Sequence, residues 1–149
     1  MPNTDSRRAL AHKMSLVSHA WRRLADRAVA EFGVSNSAAW CLIYVDRLGP
    51  HVRQTDLAEH LEITKPSLFR TVTQLETIGL IERQPNPLDA RSACIVLTPA
   101  GQELVGRIEE RLDALRSDLL VDIPEGAVDI TLKLLDMLGR RIADRQGRP

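Results

Sequence analysis

A mainly α-helical chain carrying one small β-hairpin is what this 149-residue sequence predicts, and three observations predict it. Apolar residues recur at helical spacing over most of the chain, from Leu10 to Ala28, Leu57 to Leu75, Leu104 to Leu119 and Val128 to Ile142. The period changes to that of a strand in two short runs, Ile81 to Gln84 and Ala93 to Leu97, with a Pro- and Asn-rich turn between them. Just before the hairpin, two brief apolar stripes follow each other with a few residues between them. Helices that short bury their stripes only against each other at a steep angle, as a helix-turn-helix does. The expected architecture is a winged helix-turn-helix with N- and C-terminal helices suited to dimerisation.

Each element follows from its residues. Leu10, Met14, Val17, Trp21, Leu24 and Ala28 make the stripe of an amphipathic helix over about 6–32. Ser35 to Leu48 is apolar on most sides, which marks a buried helix, and Gly49-Pro50 stops it. Leu57, Ala58 and Leu61 share one face of the first motif helix, and Ile63 sits in the turn. Thr64 is a suitable N-cap for the second motif helix, and Pro66 falls in its first turn, where a missing N–H costs little. Leu68, Val72 and Leu75 point inward and lead to Ile78, Leu80 and Ile81. After the hairpin, Pro99 to about Leu120 carries the stripe Leu104, Ile108, Leu112, Leu115 and Leu119. Pro124 opens a last helix with two apolar rows: Val128, Leu132, Leu135, Leu138 and Ile142, then Ala127, Ile130, Leu134 and Met137. A surface that wide on a terminal helix is more than one neighbour covers. The expectation is one domain over 1–149, with a winged-helix part at about 35–98 and dimerisation helices at about 6–32 and 99–146.

The second motif helix holds the first candidate site. With its stripe turned inward, Lys65, Ser67, Arg70, Thr71 and Gln74 lie outward or on the flank, behind the Thr64 and Pro66 start. They offer donors and acceptors in the N-terminal half, where a recognition helix reads base edges in the major groove of duplex DNA. Arg83 and Arg91 flank the hairpin tip, and Asp89 stands two residues before Arg91. A carboxylate there can brace the guanidinium for entry into a narrow, electronegative minor groove. Two copies would set their recognition helices about 34 Å apart, one turn of DNA.

Charge weighs against this reading. Twenty basic and twenty acidic residues cancel, whereas a basic domain is the usual footprint of a DNA binder. Thr55 to Thr98 alone has four basic and six acidic side chains. Placement matters more: Asp56, Glu59 and Glu62 belong to the first motif helix and turn, and Glu76 comes late in the second. Lys65 to Gln74 holds two cations and no acid. A small basic footprint is expected, with two half-sites acting together.

Other classes find little support. No GxGxxG, Walker-type glycine loop, GxSxG or HExxH occurs, so no catalytic residue and no cofactor are expected. The histidines have no cysteine or carboxylate at metal-ligand spacing, and no metal is expected. Five aromatic residues are too few for a single-strand stacking platform. No apolar run approaches membrane-spanning length, and MPNTDSRRAL lacks a signal-peptide core. Cys41 and Cys94 lack CxxC spacing, which suits a reduced, cytoplasmic protein without a disulfide framework. Two alternatives stay open: a winged-helix protein-interaction module without DNA binding, and a cysteine-based redox-sensing regulator.

The run LAEHLEITKPSLFRTVTQLETIGLIERQPNPLDARSACIVLTPAG resembles the MarR family of bacterial transcriptional regulators. The resemblance rests on the LAxxL first helix, the TxxLExxGLIxR passage, the DxR wing and the LTPAG exit. The KPSLFRTVTQLE helix is particularly similar to the SlyA-type branch. Arg53 departs from the pattern, standing where the family commonly has a capping Thr or Ser. The resemblance implies a homodimer on a pseudo-palindromic operator, usually a repressor released by a small aromatic or anionic effector. The effector would sit where the dimerisation helices meet the winged part, and candidates there are His12, His19 and Arg23 with Ser37, Trp40 and Tyr44. The reactive cysteine of the family's peroxide sensors lies near the chain start, where this sequence has none.

Overall fold

Asn3 starts the first helix, α1 (Thr4–Val29), by accepting a hydrogen bond from the Ser6 N–H at 2.7 Å. A 3-10 turn, Ala30–Phe32, follows and ends at Gly33, whose φ of 75° favours glycine. In the computed structural model, which describes residues 1–147, contacts divide the chain into two compact units: Met1–Leu115 and a second from Arg116 onward.

The first unit is organised around α2 (Asn36–Leu48), capped by Ser35 Oγ, which accepts from the Ala38 N–H at 3.1 Å. As its composition predicts, α2 is buried on nearly every side, and it contributes to two apolar clusters. Ala39, Trp40 and Ile43 pack with Ala25, Ala28 and Val29 of α1 and with Ile108 and Leu112. Ala38, Cys41, Leu42 and Val45 pack with Leu57, Leu68, Val72, Leu75, Ile81 and Ile95. Burying each such aliphatic side chain contributes about 1.5–3 kcal/mol. Only the second half of α1 joins this core. Leu10 and Val17, in the first half of the predicted stripe, are exposed.

The motif helices are α3 (Gln54–Leu61) and α4 (Lys65–Thr77). Arg53 occupies the N-cap of α3 without a side-chain cap. Its guanidinium instead makes a forked pair with Asp56 in the first turn, at 2.8 and 2.9 Å, and that hydrogen bond, then the charge, raises the Arg53 pKa. The carboxylate also lies at the positive end of the helix dipole. Thr64 caps α4 by accepting from the Ser67 N–H at 3.3 Å, and Pro66 stands in the first turn.

The hairpin strands are β2 (Ile81–Pro85) and β3 (Ala93–Leu97), antiparallel with Ile81 opposite Leu97 and Pro85 opposite Ala93. A two-residue strand, β1 (Val52–Arg53), absent from the sequence reading, pairs with the other edge of β3, giving the order β1-β3-β2. Two residues carry no alternation to detect. Thr98 then joins the sheet to α5 (Pro99–Leu120): its Oγ donates to Gly79 O at 2.6 Å and accepts from the Gly101 N–H at 3.1 Å. Gly101, Val105, Ile108 and Leu112 are its buried residues.

The second unit holds the end of α5 and α6 (Glu125–Gln146), which begins after Pro124. No residue of α6 is fully buried, and Ile130, Leu132, Leu134, Leu135, Met137 and Ile142 are exposed.

Candidate nucleic-acid interface

Once Leu68, Val72 and Leu75 are buried, helical geometry turns Arg70 most directly outward on α4. Arg70 is exposed, and one of its nitrogens lies 3.4 Å from Ser67 Oγ as donor. Thr64, Lys65, Pro66 and Gln74 are exposed, while Ser67 and Thr71 are half-buried. The Thr71 hydroxyl is used within the helix, donating to Ser67 O at 3.2 Å. Ser67, Arg70, Thr71 and Gln74, at i, i+3, i+4 and i+7, share one face of α4, while Lys65 lies on the other flank, at the helix start beside Thr64 and Pro66. Phe69 and Thr73, which the sequence reading leaves out of the site, are exposed on its flank.

The hairpin tip is braced from within. Asn86 Oδ1 accepts from the Leu88 N–H at 2.9 Å, and Asn86 Nδ2 donates to Ser92 Oγ at 2.9 Å. Asp89 Oδ1 accepts from the Arg91 N–H at 3.0 Å and from Arg91 Nε at 3.3 Å. The Arg91 side chain is nevertheless 93 % exposed, so the carboxylate steers the guanidinium without covering it. A pair this open to water contributes little to stability.

Arg83, the other arginine beside the tip, has partners outside the hairpin. It folds back on α4, donating to Glu76 Oε2 at 3.0 Å and Thr73 Oγ at 3.1 Å, with its guanidinium 4.9 Å from the centre of the Phe69 ring. The cause is the hairpin register, which starts β2 at Ile81 beside the end of α4 and sets Arg83 within reach of that helix. One result is electrostatic: Glu76, the acid on α4, is matched by Arg83. Asp56 and Asp89 are likewise matched by Arg53 and Arg91. Three of the six acids between Thr55 and Thr98 are thus paired, and Lys65 and Arg70 face outward without a neighbouring carboxylate on their own helix.

The six effector candidates do not converge. Trp40 is buried, its indole N–H donating to Asp26 Oδ1 at 2.7 Å, and with Ser37 it lines a small cavity of about 140 Å³. The cation there is Arg22, 4.0 Å from the Trp40 ring centre and 3.4 Å from Asp26. Arg23 is exposed and turned about 100° further round the helix. His12 and His19 are exposed, with His19 Nδ1 against Ser15 O at 2.9 Å. Tyr44 stands beside His60 instead, with 6.4 Å between ring centres.

Both cysteines are buried, and loss of solvation pushes the Cys41 thiol up to about 12. The thiolate is the reactive form, so native protein is expected to leave both sites unalkylated after an hour in iodoacetamide at pH 8, with full labelling in urea. Mass spectrometry reads the outcome, and rapid native labelling of Cys41 would revive the redox alternative. Among the described residues there is no cluster of three or more potential metal ligands, and no single helix is long and apolar enough to cross a membrane.

Residues 32–92 match the model of the MarR family, a span running from the 3-10 turn through both motif helices to the hairpin tip. The transcriptional regulator PA3341 is 29 % identical, with 93 % of this chain and 99 % of that one covered and a TM-score of 0.81. Wild-type apo MarR from E. coli is 21 % identical over 87 % of this chain and 96 % of its own, with a TM-score of 0.70. A mutant MepR of S. aureus, bound to an oligodeoxyribonucleotide, is 24 % identical over 88 % and 96 %, with a TM-score of 0.58. The last two share the fold.

Proposed function

We propose that this chain is a MarR-type transcriptional regulator that binds a pseudo-palindromic duplex operator as a homodimer. In this reading α4 of each copy enters the major groove, and Arg91 at the hairpin tip enters the adjacent minor groove. The observation that carries it is the polar, acid-free first half of α4 standing beside a rigid tip that projects one nearly fully exposed arginine. A surface built to dock protein has no reason to keep Ser67, Arg70, Thr71 and Gln74 hydrophilic together. The MarR family match over residues 32–92 and the likeness to a known transcriptional regulator support the same reading. So does the DNA-bound state of MepR, at the level of the shared fold. Pairing of two copies is supported by the exposed apolar residues of α6 and of the first half of α1.

Finer features belong to the same proposal. The chain acts as a repressor, its α4 is of the SlyA type, and a small aromatic or anionic molecule releases it. The Trp40 and Ser37 cavity, with Arg22 as its cation, is the anchoring point nearest to that description. At about 140 Å³ it lies below the roughly 300 Å³ at which ligand pockets begin, so effector binding requires it to widen.

The test is a footprint of the purified chain on its own upstream DNA, repeated with Arg70→Ala and Arg91→Ala and with added aromatic acids. Arg70→Ala is expected to lose about 10- to 100-fold on the operator and far less on random DNA, the loss of one good base contact. Arg91→Ala is expected to weaken both and to flatten the salt dependence by about one unit of slope. Equal loss on operator and random DNA would reduce Arg70 to a phosphate contact, and an unchanged slope would remove Arg91 from the interface.

A further inference from the structure

Phe69 is the one large exposed apolar side chain of α4, on the flank of its outward face, and it is 54 % exposed. It is also held in place. The Arg83 guanidinium lies 4.9 Å from its ring centre, and that guanidinium is fixed in turn by Glu76 at 3.0 Å and Thr73 at 3.1 Å. Phe69, Thr73 and Glu76 stand at i, i+4 and i+7, one stripe of α4, and Arg83 reaches that stripe from β2. The stripe lies next to Arg70. A cation over one side of the ring fixes its plane and leaves the rest open to solvent.

An aromatic ring kept in water at a fixed angle gains nothing from the core. Among base-reading side chains it has one natural counterpart. The major-groove edges of the base pairs are donors and acceptors, with a single apolar group among them, the C5-methyl of thymine. We propose that Phe69 reads a thymine methyl group in each half-site, and that Arg83 is the positioning residue that holds the ring for it. This rests on α4 entering the major groove, as proposed above. It gives Arg83 a different task from a phosphate contact: its donors are directed to Thr73 and Glu76, and its charge is matched by Glu76.

The experiment starts from a duplex enriched from a random pool by the full chain. Each thymine of the enriched site is replaced in turn by deoxyuridine, which removes the methyl group and nothing else. Wild type is expected to lose about fourfold at one thymine per half-site, the worth of one buried methyl. Phe69→Ala is expected to bind the thymine and uracil duplexes alike; the residue lies outside the buried core, and an unchanged melting temperature confirms the fold. Arg83→Ala is expected to shrink the thymine-to-uracil ratio towards one while leaving the salt slope unchanged. Arg83→Lys is expected not to restore it, because an ammonium cannot cover the ring and fork to two acceptors.

Indifference of wild type to uracil at every position overturns the proposal, as does full uracil sensitivity in Phe69→Ala. A salt slope reduced by about one in Arg83→Ala marks a phosphate ligand and overturns the positioning role. If no duplex is enriched, the DNA-binding reading fails and takes this one with it; enrichment without uracil sensitivity sinks the methyl contact alone.

Discussion

Replacing Leu132 and Leu135 together by glutamate is expected to give a chain that sediments as a monomer and loses more than about a hundredfold in operator affinity. Both side chains are roughly half exposed on α6, at 55 % and 45 %, so neither is needed to complete the interior of its own unit. Both belong to the row that also contains Val128, Leu138 and Ile142. Covering such a row removes several leucine-sized surfaces from water, whereas two carboxylates there would have to be buried without partners. The affinity loss follows from geometry: one half-site held alone forfeits the effective concentration that a linked second half-site supplies. Sedimentation equilibrium and gel shift on the same preparation read both effects, with circular dichroism to confirm helix content. Lys133→Glu, on the same helix but outside the row, is expected to leave assembly intact. A wild-type chain that sediments as a monomer at micromolar concentration would refute the pairing outright.

The second large effect concerns stability. Gly101 is buried in the first turn of α5, and a Cβ added there would run into the backbone carbonyl oxygen of Leu80. That carbonyl cannot swing away, because it accepts the Thr98 N–H at 3.1 Å. Thr98 in turn holds Gly79 and Gly101 through its hydroxyl. Gly101→Ala is therefore expected to destabilise by about 3 kcal/mol, the upper part of the overpacking range. For a chain of this size that lowers the melting temperature by roughly 10 °C. Gly106→Ala is the control: the same helix, nothing within 4 Å of the added atom, and a better helix former than glycine. It should melt at or above the wild-type temperature, and equal melting of the two variants would show that the close approach at Gly101 carries no energy.

What was legible in the sequence was local. The Thr64 cap, the Leu68, Val72 and Leu75 stripe, and the Ala93–Leu97 strand all declare themselves within a few residues, and each stands where the sequence places it, whereas Ser35, read as the first residue of its helix, is the N-cap. The surface of α4 follows from that stripe by rotation alone. The Asp89–Arg91 contact spans two residues and was equally readable. The features missed depend on distant pairing. β1 exists because Val52 meets Ile95 across the sheet. Arg83 turns to α4 because residues seven and ten positions earlier receive it. Trp40 finds Asp26 fourteen residues back, and Arg22 rather than Arg23 comes with it. Period and capping carry no information about such partners. What fixes the Phe69 ring is likewise a distant pairing, with Arg83 of β2.

The braced hairpin tip bears on rates. Asn86, Asp89 and Ser92 satisfy the loop's polar groups from inside, so its conformational freedom is given up when the chain folds and not at each encounter with a partner. If the tip docks on duplex DNA as proposed, the duplex meets a feature already in its final shape, and little ordering entropy opposes docking. Substitutions that loosen the tip, Asn86→Ala among them, should therefore leave the equilibrium fold nearly untouched while shortening the lifetime of the bound state, since related interfaces differ mostly in how fast they come apart.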